Sequence, residues 1–431
     1  MVLVTPPSAI PEVHDPEATS ARVASGPSLP FLFGAFLKAG CLGFGGFVSL
    51  MSMVETVLVK QKRLLTSEQV LDGVSLASLL PGPQAVNVVA YCGYKLRGWR
   101  GAWVAGFAVV LPSFVAMLAL SILYERYGKL DAVTRLFHGF VPAVAAVIAS
   151  VVWRLARKAL TSRAEVVLAS ASAVALCIAS FGLFGFPRSA QLYVTFGLVV
   201  VCGIAGRALF PGGAAPKTAA KTRFPAVKLA VTAAGAVLLA VIGLAQPAQD
   251  PRSDLALAST FSGLSVMLFG GGYVFIPMIQ HHVVDVLQWV TPKEFVDAIA
   301  LSQVMPGPIL VAATFIGWAV TGFTGALVAT IAIFTPPAVV MVVASQALEH
   351  VQRSSAAKSA LRGIRCAVVG MIAVAALVVF KSGLPADLGD ARSIAVAVAL
   401  FAGALVALLR YQVDVVWVVP ASGLLGWVLF P

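Results

Sequence analysis

Residues 66–84 read TSEQVLDGVSLASLLPGPQ, and residues 291–309 read TPKEFVDAIALSQVMPGPI. Each stretch opens on a threonine, Thr66 or Thr291, with Gln69 or Glu294 three residues later. That is capping-box spacing, in which paired side chains satisfy backbone amides at a helix start, and Pro292 suits the first helical position. Each predicted helix then runs into Pro-Gly-Pro, at 81–83 and at 306–308. The prolines remove backbone donors and push the residue before them out of helix, while glycine opens dihedrals closed to other residues. From Ser67 to Leu80 is 14 residues, about 21 Å of helix at 1.5 Å per residue. A hydrocarbon core is about 30 Å thick. In a membrane, both helices therefore break before they have crossed it.

Composition puts the chain in a membrane. Of 431 residues, 11% are charged and 59% hydrophobic, with a mean hydropathy of +0.95. A soluble domain carries about 25% charge, so disorder, a collagen-like fibre and an ordinary soluble enzyme are excluded. Apolar runs fall at about 31–55, 68–94, 100–123, 138–158, 164–184, 190–209, 226–246, 254–283, 295–320, 323–346, 363–381, 391–409 and 412–430. The expectation is an all-α polytopic membrane protein of about 13 transmembrane helices, with the lipid bilayer as its surroundings.

The net charge of +12 reports topology rather than nucleic acid. Of the 30 Lys and Arg, 19 lie in the N-terminal tail and the even-numbered gaps between runs, against 10 in the odd-numbered gaps. The positive-inside rule then puts the N-terminus in the cytoplasm and, with thirteen spans, the C-terminus outside. Residues 1–28 read as a polar cytoplasmic tail without the features of a signal peptide. The five cysteines contain no C-x-x-C and read as packing residues. His281-His282, with Asp285, reads as a solvated interface, since adjacent histidines do not share a helix face. No Walker, H-E-x-x-H or G-x-S-x-G pattern occurs. No cofactor, metal or enzymatic activity is expected.

The chain repeats itself. At an offset of 225, Phe44-Gly45-Gly46 recurs as Phe269-Gly270-Gly271, Asp72 as Asp297, and Pro81-Gly82-Pro83 as Pro306-Gly307-Pro308. At an offset of 224, Gly93 matches Gly317, Gly98 Gly322, Gly101 Gly325 and Pro112 Pro336. The reading is a first six-span unit at 29–210, a linker with a connecting span at 211–250, and a second unit at 251–431. The odd connecting span turns the second unit upside down, the common build of secondary transporters.

Candidate site residues gather at the breaks. A helix resuming near Gln84 or Ile309 points free N–H groups and a positive dipole end at the gap, which suits an anion. The expected binding set is Lys38, Gly45, Gly46, Ser78, Pro81, Gly82, Pro83, Gln84, Asn87, Gly270, Gly271, Gln303, Pro306, Gly307 and Pro308, with Thr314 also flanking a break. Lys38 is read as an anion counter-charge or a snorkelling lysine. Asp72 and Asp297 are read as coupling carboxylates or as simple partners of the helix dipole.

Phe44-Gly-Gly46, Pro81-Gly-Pro83-Gln84, Tyr91-Cys-Gly-Tyr94 and Arg97-Gly98, with their second copies, resemble the chromate ion transporter family over about residues 30–430. The second copy departs at Gly272, Ile309 and Thr321, where the first has Phe47, Gln84 and Arg97. The resemblance implies a bacterial inner-membrane protein of two oppositely oriented halves. It also implies chromate efflux and resistance, with sulfate as a related anion. The expected function is chromate export by alternating access. An ion-coupled sulfate or oxyanion importer and an anion channel are kept as alternatives, and a homodimer is left open.

Overall fold

The computed structural model describes residues 27–44, 47–78, 80–128, 130–183, 191–210, 235, 250–268, 272–273, 275–346, 355–382 and 391–430. Among these the regular structure is helical, apart from one isolated bridge. The run at 31–55 divides into α1 (Leu29–Leu42) and α2 (Phe47–Val54), the latter prolonged by a π-helical turn, Glu55–Gln61. Then come α3 (Ser67–Ala77), α4 (Gln84–Tyr127), α5 (Asp131–Ala159), α6 (Arg163–Phe181) and α7 (Gln191–Leu209). The chain continues with α8 (Asp254–Val266), α9 (Phe275–Gln280) with a π-helical turn at His281–Val286, and α10 (Pro292–Val304). A 3₁₀ turn, Ile309–Val311, leads into α11 (Ala312–Thr321). The last helices are α12 (Phe323–Ser345), α13 (Ser355–Ser382), α14 (Ala391–Leu409) and α15 (Val415–Leu429). The expected connecting span at 226–246 lies outside the described residues, except for Gly235.

Among the described residues, six helices are long and apolar enough to cross a membrane: α4, α5, α6, α12, α14 and the segment Ser359–Lys381 of α13. The chain is a multi-pass membrane protein, helical in the regular structure of its described residues. Helix α4 is not straight. Arg97 and Gly98 leave helical dihedrals, Gly98 with φ +59°, and the chain folds back so closely that a side chain on Gly93 would strike the Gly101 carbonyl. The junction of α11 and α12 repeats this, with Gly322 at φ +70° and Gly317 against the Gly325 carbonyl. Only glycine brings two backbones this near, and small residues are the usual means of packing helices in lipid, where apolar burial supplies no drive.

Helices α5 and α13 occupy the middle of the bundle. The former packs on α13, α14 and α15, and the latter on α6 and α7 as well. Their contacts again run through small residues: Gly139 meets the backbone at Ser422 and Gly423, and Gly363 that at Cys202 and Gly206. One buried charge ties this region together. Glu165 closes the capping box of α6 with Ser162, accepts from the Thr161 amide at 2.7 Å, and pairs with Arg362 of α13. Its side chain is 1% exposed, whereas that of Arg362 is 48% exposed. Glu165→Ala removes the cap yet strands only a cation that water reaches. The expected cost is about 2 kcal/mol, measured as lowered thermal stability in detergent.

Candidate functional site

Both capping boxes form. Thr66 accepts from the Gln69 amide and Thr291 from the Glu294 amide, with the reciprocal side-chain bonds in place. Helix α3 then stops at Ala77, where the Ser78 hydroxyl turns back to the Val74 carbonyl at 2.8 Å. Helix α10 stops at Val304. Beyond each lies Pro-Gly-Pro, whose glycine sits in the left-handed region, Gly82 at φ +103° and Gly307 at φ +114°.

The breaks are held by reciprocal bonds. Gly82 donates its amide to the carbonyl of Leu268, just beyond α8, at 2.6 Å. Gly307 donates to the carbonyl of Gly43, just beyond α1, at 3.0 Å. Donors and acceptors are each 225 positions apart, so the exchange is the same in both directions. An antiparallel bridge from Phe44 to Pro306 completes the second contact. A residue from a long helix also lies against each glycine. Pro337 of α12 fills the space where a side chain on Gly82 would go, and Ser113 of α4 fills that space beside Gly307. The Ser113 hydroxyl donates to the Pro306 carbonyl at 2.6 Å.

The second half-helices begin differently. In α4 the first bond runs from the Asn87 amide to the Pro83 carbonyl at 3.0 Å. The Gln84, Ala85 and Val86 amides therefore precede any intrahelical acceptor and form the positive end of the helix. After the other break the chain tightens into a 3₁₀ turn, with the Val311 amide on the Pro308 carbonyl at 3.0 Å, and becomes α-helical only at Ala312. The helix therefore starts at Ile309 as expected, but with one 3₁₀ turn first, and neither half-helix start carries a side-chain cap.

Buried polar atoms near the breaks lack partners among the described residues. Asn87 is fully buried and donates to the Pro81 carbonyl at 3.0 Å, yet its Oδ1 is unmatched. Gln303 is 7% exposed, takes a long 3.5 Å contact from the Tyr273 hydroxyl, and leaves Nε2 unmatched. Gln84 is half-buried at the start of α4. Pro81, Pro83 and Pro308 are buried, and Pro306 is half-buried. Gly45, Gly46, Gly270 and Gly271 lie outside the described residues.

Other expected residues go elsewhere. Lys38 is exposed on α1, and its amine donates to Gln61 at 3.3 Å rather than to either break. Thr314 is spent on Thr330 at 2.7 Å. Asp72 is half-buried on α3 and has interactions of its own. Asp297 is buried between two parts of the chain, taking a hydrogen bond from the Tyr124 hydroxyl of α4 and another from Lys293 at 3.0 Å. The histidine pair is not a solvated interface. His281 and His282 are 4% and 5% exposed, because the π-helical turn winds both inward, and His281 contacts Asp285 at 3.2 Å. Among the described residues no group of three or more His, Cys, Asp or Glu is placed to hold a metal ion. Ser113 and Pro337 escaped the sequence reading, although they directly follow the matched Pro112 and Pro336. Tyr91 escaped it as a site residue too, although it stands in a quoted motif.

Three relatives are similar to this chain in sequence. A chromate transport protein of Pseudomonas aeruginosa is 30% identical over 422 residues, 96% of each chain. An uncharacterised transporter of Methanocaldococcus jannaschii is 30% identical over 349 residues, 80% of this chain and 83% of its own. An uncharacterised transporter of Bacillus subtilis is 30% identical over 125 residues, 29% of this chain and 70% of its own. No solved structure matches. The model of the family described as chromate transporter matches residues 31–207 and 255–427, which contain both breaks and the helix ends that bind them. The chain belongs to the chromate transporter family.

Proposed function

We propose that the chain is a secondary transporter that moves chromate out of the bacterial cell across the inner membrane, by alternating access around the paired Pro-Gly-Pro breaks. The observation that carries this reading is the reciprocal bonding of Gly82 to Leu268 and Gly307 to Gly43. An exchange of equivalent contacts is what an approximate two-fold axis between two half-structures produces. Such an axis in the membrane plane is the build in which one half rocks against the other around a midplane site. The halves proposed are 29–210 and 251–431, inverted and joined through 211–250, with a cytoplasmic N-terminus and a periplasmic C-terminus. Two matched stretches of the family model support that division. Irregular backbone at membrane depth is tolerated only against protein or a polar cavity. The amides of Gln84, Ala85 and Val86, with the Gln303 Nε2 that is unmatched among the described residues, are the donors offered to a tetrahedral oxyanion. The name of the Pseudomonas aeruginosa relative, matched end to end, points to chromate.

Export suits the charge. A cell interior negative by 100 mV drives each negative charge outward with about 2.3 kcal/mol, so a dianion gains about 4.6 kcal/mol. That sustains a gradient of about a thousandfold without ATP. The buried Asp297, bonded to Tyr124 of α4, favours a second reading in which oxyanion movement is coupled to a proton or sodium ion. Purified protein in liposomes separates the two. Chromate flux driven by potential alone and competed by sulfate is expected. Flux that requires an inward proton or sodium gradient supports the second reading, unitary currents indicate a channel, and no oxyanion flux sinks both transport readings.

A further inference from the structure

The two half-helices that follow the breaks differ along the face that leads away from them. On α4, Asn87, Tyr91 and Lys95 are spaced four apart and so lie one above another. Asn87 reaches the break itself through the Pro81 carbonyl, and its Oδ1 is buried without a partner among the described residues. One turn on, Tyr91 is 1% exposed and its hydroxyl likewise has no partner there. One turn further, Lys95 is exposed, with its amine 5.7 Å from the centre of the Tyr91 ring. At the matching positions of the other unit stand Val311, Phe315 and Ala319, which carry no polar side-chain atom. The neighbouring helix follows the same asymmetry. Gly73 of α3 lies against the Tyr91 ring so closely that a Cβ there would come within 2.6 Å of it, whereas the matching residue is Ala298.

Two buried polar atoms on one helix face that lack a hydrogen-bond partner among the described residues are a standing cost to stability. Of the two, only the Tyr91 hydroxyl can donate to an anion, since Asn87 Oδ1 is an acceptor. They are aligned from the break to an exposed cation, and their counterparts are apolar. We propose that the Asn87–Tyr91–Lys95 face of α4 is the route by which a tetrahedral oxyanion reaches the first break, with the Tyr91 hydroxyl as the donor that it meets on the way. Lys95 gathers the anion at the mouth, Tyr91 takes over a hydrogen bond from water, and Asn87 positions the Pro81 carbonyl at the inner end. Gly73 is a positioning residue that leaves room for the ring. The route belongs to one unit, and its mouth lies in the basic gap between the second and third apolar runs, which the charge count puts on the cytoplasmic side. The inference rests on the transport reading above and deepens it by giving the anion one cytoplasmic entrance.

The test is initial-rate chromate uptake into liposomes containing the full chain, oriented so that this face is outside, with thermal unfolding in detergent measured alongside. Tyr91→Phe keeps the ring and deletes one hydroxyl. The KM for chromate is expected to rise about tenfold or more, the scale of a lost hydrogen bond to an anion, while the unfolding temperature holds or rises. Lys95→Gln, on an exposed residue, is expected to raise KM about threefold and to flatten the dependence of the rate on ionic strength. Lys381→Gln, at the far end of α13, serves as the control and leaves both unchanged. An unchanged KM in Tyr91→Phe, with raised stability, means that the hydroxyl is idle and overturns the route. Should that variant fail to insert, an unchanged KM and salt dependence in Lys95→Gln overturns it as well. If the unaltered chain moves chromate and Gly82→Val abolishes this, while both route variants behave normally, the route alone has failed. If the unaltered chain moves no chromate, the transport reading falls and the route falls with it.

Discussion

Gly82→Val is expected to bring chromate flux in proteoliposomes to background, at least a hundredfold down, while the protein still inserts and can be purified. Two effects act together. A residue with a Cβ at φ +103° sits in the left-handed region, at about 1–2 kcal/mol for an ordinary side chain and more for a branched one. The Cβ also runs into the Pro337 ring, which has no rotamer by which to retreat. The segment must move, and the Gly82 amide loses the Leu268 carbonyl. Gly307 has the same dihedral problem but a softer obstacle, the Ser113 hydroxyl. Gly307→Ala should therefore regain part of its flux when combined with Ser113→Ala. No companion change of that size is on offer for Gly82. Normal flux in Gly82→Val would remove the broken helix from the mechanism.

Lys293→Met is expected to destabilise the protein by about 2–3 kcal/mol, and Lys293→Met/Asp297→Asn to recover most of that loss. The Asp297 side chain is 2% exposed, whereas that of Lys293 is 48% exposed. Removing the lysine leaves a buried carboxylate whose one remaining side-chain donor among the described residues is the Tyr124 hydroxyl. Breaking a fully buried pair from one side costs about 3–5 kcal/mol, and the figure is reduced here because Lys293 is half in solvent. Methionine keeps contact with the Tyr124 and Phe137 rings, over which the amine now lies at 5.8 Å from each centre. Neutralising Asp297 removes the stranded charge. Chemical or thermal unfolding of the four proteins gives the coupling directly, and a double variant no better than Lys293→Met defeats the argument.

Local chemistry was the legible part of this chain. Thr66 and Thr291 announced their helices because a capping box is a four-residue event, and Pro-Gly-Pro announced the breaks because proline acts on its immediate neighbours. Pairings across the chain were not legible. Nothing in the spelling of Gly43 says that its carbonyl receives the Gly307 amide, and nothing in Ser113 says that it meets Pro306. Both depend on how helices far apart in sequence come to lie together. His281 and His282 were misplaced for a related reason. On a 3.6-residue helix two adjacent residues do not share a face, whereas the wider π-helical turn carries both inward. Lys38, read as a counter-charge or a snorkelling lysine, is exposed on α1, where the π-helical turn after α2 brings Gln61 to meet it, a contact that its own neighbours in sequence do not announce. Tyr91 was quoted as part of a motif, but its unmatched hydroxyl becomes apparent only once its surroundings are known.

The reciprocal bonds also set an order of biogenesis. The Gly82 amide finds its acceptor in Leu268, a residue synthesised 186 positions later, and Gly43 waits still longer for Gly307. At about 5–20 residues per second, the first break is finished roughly 10–40 s before its partner leaves the ribosome. An unmet backbone group in hydrocarbon costs several kcal/mol, so during that interval the first break must be kept wet or shielded. The early part of the chain thus enters the membrane in an unfinished state, and the later part completes it.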